Sequence, residues 1–471
     1  MGAAVAGASI SIGSGEATAQ SSSSQRHAEL YAADLHIVTI TDTSVTIAWM
    51  TYAKRHFPYF TEQDAVPADS ELRISRADLP GARAQVHYDA SPSGYHQMRI
   101  GGLAPGTTYR FEARSNGVRA VPNYFATKLI DPMTRDGFFT TLTRPPGDYV
   151  QTVAVLNDTH VGLGEHLVVG TDETPYSYFM LEDELAEIKT VAPSIVLVNG
   201  DLTSEARPHE LKKAKEILDG YGREKVDYFL TRGNHDRPHR ASEDPRAAYE
   251  TGTLLPKELE ASSGSTASEP FYDNVIDYFD LPYQQMWVTR RGNLRIVGLD
   301  SSMAENSAGG TIRPSQMEAF RAEMESDPSV PTIVMSHHPL SFEQAATAWG
   351  SRPFLMDKRS ATQVEHIEAA APGTFLHLGG HTHRGRRSRG HIATNVEFLE
   401  TPASGEFPNV YTLIDLYTGG YMVTSHRPDT ARVRGRMVPE RWSSHGVLPE
   451  GTLYRTDNRN FTVVRDLSGL I

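Results

Sequence analysis

Five short apolar runs in this chain end in residues that can ligate a cation. QTVAVL (151–156) leads into Asn157-Asp158-Thr159-His160, and SIVLV (194–198) into Asn199-Gly200-Asp201. VDYFL (226–230) leads into Thr231-Arg232-Gly233-Asn234-His235-Asp236. TIVM (332–335) leads into Ser336-His337-His338-Pro339, and TFLHL (374–378) into Gly379-Gly380-His381-Thr382-His383. In α/β folds, sites assemble at the carboxyl ends of strands. A single acidic strand end is more often a turn or a helix cap. Five ends that all bear Asp, Asn or His are hard to explain by capping.

Such a set suits a pair of divalent ions about 3.5–4 Å apart, which can clamp a phosphate and an attacking oxygen. The pair needs a bridge, and a carboxylate at a strand tip has two oxygens to offer. Imidazoles fill outer positions, and a neutral amide oxygen completes one site without adding charge. Two ions against two carboxylates leave a formal charge of about +2, or about +1 with a hydroxide. The chain has no cysteine, so thiolate nucleophiles, disulfides and Cys-type zinc sites are excluded. Nitrogen and oxygen ligands suit Mn, Zn or Fe. In an extended segment His381 and His383 point to the same side, over the bare backbone of Gly379 and Gly380.

The elements that must position these tips follow from the patterning. After the linker Arg144-Pro145-Pro146-Gly147, apolar runs alternate with helical patterns such as 177–191 and 209–220, which predicts an α/β domain over 148–428. Before the linker, 30–143 reads as all-β. SVTIAWM (44–50) alternates through Val45, Ile47 and Trp49, TYRFEAR (108–114) through Tyr109, Phe111 and Ala113, and Asn116-Gly117 is a hairpin turn signal. FFTTLT (138–143) is placed to close the sheet, while 53–70 and 118–136 read as loops or insertions. Residues 429–471 read as a C-terminal extension with a possible strand at 460–464. Aromatics from Phe271 and Tyr272 through Tyr278, Phe279 and Tyr283 to Trp287 suit either a substrate wall or a packed insertion.

The stretch Leu103-Ala104-Pro105-Gly106-Thr107-Thr108-Tyr109 resembles the L-x-P-G-T-x-Y turn of fibronectin type III domains, whose tyrosine makes a corner hydrogen bond. The ordered set D-x-H, GD, GNHD, HH-P and GHTH resembles the calcineurin-like metallophosphoesterase superfamily over roughly 150–425. That resemblance implies two mixed β-sheets packed face to face and flanked by helices. It implies Asp158 and His160 as first-metal ligands, Asp201 as the bridge, Asn234, His337 and His381 on the second metal, and His383 on the first. His235 then contacts the phosphate with Asn234 beside it, and protonates the leaving group. His338 is expected as a packed neighbour, Asp236 as an orienting residue, and Arg384, Arg386 and Arg387 as a solvated basic turn rather than a substrate clamp.

A sandwich ahead of such a domain resembles the plan of purple acid phosphatases. Two positions depart from it: His160 stands where those enzymes have glycine, and Ser204 where they have an iron-binding tyrosine. The Asp-x-His start is more similar to bacterial class III cyclic-nucleotide phosphodiesterases. The expected activity is therefore hydrolysis of phosphate esters, diesters ahead of monoesters, by a hydroxide bridging two divalent ions. The alternatives are an exported phosphomonoesterase, non-purple, that scavenges phosphate, and a surface-binding protein with a vestigial metal site. The expected substrate is a small phosphate ester. With 45 Lys and Arg against 58 Asp and Glu, the net charge of −13 argues against general nucleic-acid binding. No run is long and apolar enough to span a bilayer. Residues 1–29, with Ala17-Thr18-Ala19, suit an export-signal remnant, hence a secreted or cell-envelope protein, or a disordered tail.

Overall fold

The computed structural model describes residues 30–53, 65–79, 81, 83–122, 131–162, 175–240, 258–259, 271–305, 308–341, 344, 354–383, 385–443 and 455–471. Ala17-Thr18-Ala19 and Arg384 lie outside the described residues. Among the described residues no helix is long and apolar enough to cross a membrane.

The N-terminal region holds β1 (Leu30–Ile40), β2 (Val45–Ala53), β3 (Ala68–Arg76), β4 (Gln85–Ser93), β5 (Tyr95–Ile100), β6 (Thr108–Ser115), β7 (Val118–Arg119), α1 (Pro132–Asp136) and β8 (Phe138–Thr140). The stretches expected as loops thus contain the start of β3, the short β7 and α1. Two antiparallel sheets form, β1-β2-β5 and β4-β3-β6-β7, with β8 paired to β6. Alternation sends Ile37, Val45, Ile47 and Trp49 from one sheet against Leu72, Ile74, Phe111 and Phe139 from the other. Trp49 is fully buried, stacks on His96 and donates its indole N–H to Ser115 Oγ at 2.9 Å, so its one polar atom is satisfied. Asn116 and Gly117 turn the β6–β7 hairpin with φ of 46° and 78°, as a tight hairpin turn with two left-handed residues requires. The hydroxyl of Tyr109 accepts the N–H of Ala104 at 2.9 Å.

The alternation of β2 conceals a second buried face. Ala48 and Met50 point away from the sandwich core, yet both are buried against Tyr176, Met180, Phe407, Val410, Val433 and Met437. That face is covered by the following domain. Each large apolar side chain so covered contributes roughly 1.5–3 kcal/mol relative to exposure.

The second region opens with β9 (Tyr149–Leu156), α2 (Tyr176–Val191), β10 (Ile195–Asn199), α3 (Pro208–Tyr221) and β11 (Tyr228–Thr231). A small sheet follows, β12 (His239–Arg240), β13 (Glu258–Leu259) and β14 (Phe271–Tyr272). Then come β15 (Trp287–Arg291), β16 (Leu294–Leu299), α4 (Pro314–Ser326), β17 (Thr332–Ser336), α5 (Lys358–Ala370), β18 (Thr374–Gly379), β19 (Arg386–Arg389) and β20 (Glu397–Glu400). The chain ends with β21 (Tyr411–Tyr417), β22 (Gly420–His426), α6 (Ala431–Ser443), α7 (Thr456–Arg459) and β23 (Phe461–Val464). The strands form two six-stranded mixed sheets, ordered β11-β10-β9-β21-β22-β23 and β15-β16-β17-β18-β20-β19.

Period two explains the layering. Val153 and Val155 of β9 face the second sheet, with Ile195, Leu197, Ile333 and Met335 in the same core. Ala154 and Leu156 face the other way, into a core with Leu181 and Leu185 of α2 and Leu211 and Leu218 of α3. On the far side, α4 and α5 cover the second sheet through Met317, Phe320, Val364 and Ile367. Strands buried on both faces read as continuous apolar runs, as these do. The C-terminal extension is no appendage: β23 pairs antiparallel with β22 and completes the first sheet. The aromatic stretch after residue 270 packs inward. Phe271 and Phe279 are buried, Trp287 donates to the carbonyl of Leu230 at 2.6 Å, and Tyr283 accepts from the N–H of Ala304 at 2.7 Å.

Candidate metal centre

The tips of β9, β10 and β11 in one sheet converge with those of β17 and β18 in the other. The backbone there is unusual. Asp158, His160, Asp201, His381 and His383 have φ of 49°, 45°, 48°, 76° and 66°, a left-handed conformation that non-glycine residues rarely adopt. Neighbouring chain enforces it. The N–H groups of Asp158, His160 and Val161 donate to the carbonyls of Gly200, Asp201 and Leu202 at 3.1, 3.0 and 2.9 Å. The carbonyl of Asp158 in turn accepts from the N–H of Gly405 at 3.0 Å.

Two glycines of the motifs are there for close approach. A Cβ on Gly200 would lie 2.5 Å from His337 Nδ1, and one on Gly233 would strike the Asp201 carboxylate. The two glycines before His381 differ: a Cβ on Gly380 would meet the side chain of Asn157, whereas Gly379 has room for one.

The predicted residues gather into two groups. Asp158, His160, Asp201 and His383 form one, and Asp201, His337 and His381 the other, each offering one ligand atom within 4.8 Å of the rest. Asp201 is common to both. Its Oδ2 lies 3.0 Å from His337 Nε2 and 3.8 Å from His160 Nε2. His383 Nε2 lies 3.2 Å from His160 Nε2 and 3.4 Å from Asp158 Oδ1. Asn234 is buried in the loop after β11, next to His235, whose backbone N–H donates to Asp201 Oδ1 at 2.9 Å.

The ring orientations fit a cation. His337 Nδ1 donates to the carbonyl of Asn199 at 2.9 Å, and His383 Nδ1 lies 2.9 Å from Glu406 Oε2. Each bond leaves Nε2 turned to the carboxylates. Both ring nitrogens of His381 are buried without a hydrogen-bond partner, as is Nε2 of His338 behind it. Buried polar atoms are almost always paired, so such a cluster calls for a ligand. The donor set is nitrogen and oxygen only, which suits a divalent transition ion.

Charge divides the histidines. Burial disfavours a charged His337, but Asp201 beside it outweighs this and raises its pKa to about 9. His383 is likewise raised well above the ordinary value, against burial, by Asp158 and Glu406. Burial and neighbouring histidines push His160 down to about 4 and His381 well below the usual range. Asp201 is held well below the carboxylate range in spite of burial, because His337 and His235 face it.

His235 sits at the rim, edge-on to His160 with ring centroids 4.8 Å apart, and its Nδ1 donates to the carbonyl of Ser204 at 2.5 Å. Asp236 accepts from the N–H groups of Leu202, Thr203 and Gly233, which is an orienting role. His338 is buried behind His381, with Nδ1 at 2.8 Å from Ser301 Oγ. Arg387 is bound to Glu397 at 2.7 Å and lies over the ring of Phe461, which makes it a packing residue. Sequence reasoning missed Glu406. It stands 23 residues beyond His383, and only an acidic residue in the loop before β21 marks it.

Residues 151–385 match the family model of the calcineurin-like phosphoesterases, a span that contains every predicted ligand. The chain carries a calcineurin-like phosphoesterase domain and through it belongs to that superfamily. It is a hydrolase acting on phosphate esters, with a divalent metal site. No curated protein matches it significantly. Among solved structures it is similar to a purple acid phosphatase from yellow lupin (Lupinus luteus) seeds, at 12% identity over 93% of this chain and 75% of that one, with a TM-score of 0.42. It is also similar to a dimetal phosphatase from Danio rerio, at 16% identity over 60% of this chain and 98% of that one, with a TM-score of 0.39.

Proposed function

We propose that the centre takes two divalent ions sharing Asp201 and that the protein hydrolyses small phosphodiesters. The observation that carries this reading is the membership of Asp201 in both ligand groups. Asp158, His160 and His383 would complete one position, and Asn234, His337 and His381 the other. Divalent ions supply Lewis acidity and a nucleophile active at neutral pH. The chain supplies the rest. Hydrogen bonds from Nδ1 of His337 to Asn199 and of His383 to Glu406 hold each Nε2 in the ligating direction. The Ser204 carbonyl fixes the His235 ring, which leaves Nε2 to meet a phosphoryl or leaving-group oxygen and to hand over a proton. Asn234, beside it, would bind substrate as well as metal.

A diester is favoured over a monoester by charge. Two ions against the carboxylates of Asp158 and Asp201, with the attacking hydroxide counted, leave about +1, which matches the single negative charge of a diester. Ser204 offers no phenol oxygen, so the iron(III) chemistry of a tyrosinate ligand has no place here. The test compares bis-nitrophenyl phosphate with nitrophenyl phosphate, using protein stripped with a chelator and then given Mn. The expected result is turnover restored by Mn, with the diester faster. A faster monoester overturns the substrate preference; chelator-insensitive turnover overturns the metal. Elemental analysis of protein purified without added metal identifies the ion and its stoichiometry.

A further inference from the structure

The loop from Thr401 to Val410 touches both the metal centre and the N-terminal sandwich. On one side it lines the back of the ligands. The N–H groups of Ala403, Ser404 and Gly405 donate to the carbonyls of His383, Asn157 and Asp158 at 3.1, 2.8 and 3.0 Å. The Glu406 carboxylate accepts from His383 Nδ1. On the other side the loop meets Arg427, a buried cation at the end of β22. Arg427 Nε donates to the carbonyl of Pro408 at 2.8 Å, and Nη2 to the same oxygen at 2.5 Å.

Arg427 is in turn held by the sandwich. Its Nη1 donates to the hydroxyl of Tyr95 at 2.6 Å and to His36 Nε2 at 3.0 Å. His36 Nδ1 lies 2.7 Å from the carbonyl of Asp34, which keeps the proton on Nδ1 and leaves Nε2 an acceptor. The Tyr95 hydroxyl donates to Gln97 Oε1 at 2.8 Å, so toward the guanidinium its oxygen is the acceptor. The arginine lies over the rings of Tyr95 and Phe407. Phe407 itself is buried in the apolar cluster between the sandwich and the catalytic sheets. Hydrogen bonds therefore run from Tyr95 and His36 through Arg427 and Pro408 to the loop that carries Glu406.

We infer that the N-terminal sandwich is a clamp on the metal centre: through Arg427 it fixes the 401–410 loop, and Glu406 on that loop positions His383. A carboxylate behind a ligating imidazole sets its tautomer, its direction and its basicity, and loss of such a partner typically weakens metal binding about 10–100-fold. Glu406 and Arg427 are positioning residues, acting on the ion through His383. This inference rests on the metal reading proposed above, and the experiment separates the two.

Metal-free full-length protein is titrated with Mn by calorimetry, as wild type, Glu406→Gln, Tyr95→Phe and the double variant, with thermal unfolding of each. The glutamine is isosteric, and the phenylalanine removes one hydroxyl from an intact ring, so both variants keep the packing. Glu406→Gln should weaken one equivalent of Mn by about 10–100-fold and leave the other unchanged. Tyr95→Phe should weaken the same equivalent by roughly three- to tenfold, and the double variant should bind no worse than Glu406→Gln, because residues on one path are not additive. A purely structural Tyr95 would lower the unfolding temperature and leave both binding constants alone; that result overturns the clamp. So do wild-type binding by Glu406→Gln and losses that multiply in the double variant. A wild type that takes up no Mn overturns the metal centre itself, and the clamp with it.

Discussion

In the N-terminal sandwich, left-handed backbone falls mainly where a turn needs it, at Gly102, Gly106, Asn116, Gly117 and Gly137. At the metal end it falls on Asp158, His160, Asp201, His381 and His383, the side chains that do the chemistry. The sandwich thus places its special conformations on residues that tolerate them. The metal end places them on Asp and His, which enter this region more readily than other side chains but, unlike glycine, at a cost on the order of 1 kcal/mol each. It also gathers several buried ring nitrogens without hydrogen-bond partners, at His338 and His381, whereas the sandwich has a single one among the described residues, His87 Nε2. One region is stabilised by its own contacts, and the other is shaped for a cation that is not part of the chain. The exception in the sandwich, Asp34 with φ of 52°, lies in the bulge of β1 between Ala33 and His36. Bulges re-aim side chains, and the one re-aimed here, His36, reaches Arg427.

The contrast is broken most directly at Asp201. Asp201→Asn removes the carboxylate charge common to both ligand groups while keeping its size. Turnover of bis-nitrophenyl phosphate should fall by about four orders of magnitude, equivalent to ~5–6 kcal/mol of transition-state stabilisation. Metal content by elemental analysis should fall with it. An active variant would mean that strain and orphaned nitrogens at this end serve something other than a cation. His235→Ala should cost less, on the order of 10²–10³ in kcat, because it removes proton transfer and phosphate contact only. Metal content should stay at the wild-type level. Loss of metal in His235→Ala would move His235 from the substrate to the ligand set.

These two residues were legible in the sequence because their signal is local. A strand tip, a carboxylate, an amide and an imidazole follow one another within a few positions, as in 231–236. The strands leading to these tips were legible as short apolar runs for the same reason, whereas the layering into two sheets followed from the family resemblance. What was hidden is non-local. The second buried face of β2 depends on Phe407 and Val433, far along the chain. The partner of β23 is β22, and no periodicity names a partner. The left-handed conformation of Asp158 is imposed by Gly200 and Gly405, and Glu406 reaches His383 only because the loop folds back beneath it. Spacing reveals what a residue can do; it does not reveal what holds it in place.

A bound cation sharpens the difference between the two regions. Mn at 100 times its dissociation constant should stabilise the protein by about 2.7 kcal/mol per site occupied. Thermal unfolding of stripped protein, with and without Mn, measures this as an upward shift of the midpoint that a chelator reverses. No shift would mean that the strained end is stable without a ligand and that the contrast with the sandwich is only apparent.

The smallest effect belongs to the sandwich. Tyr109→Phe removes the hydroxyl that accepts the Ala104 N–H at 2.9 Å and leaves that donor to water or to nothing. The ring, stacked on Phe139 with centroids 5.5 Å apart, stays in the core. The expected cost is about 1 kcal/mol, the net worth of one hydrogen bond. Denaturant unfolding reads it as a lower midpoint with an unchanged slope. Mn affinity and turnover should not move, because Tyr109 lies on the sheet opposite the one that carries His36 and Tyr95. A change in Mn affinity in Tyr109→Phe would show that the whole sandwich, and not the single path through Arg427, bears on the metal centre.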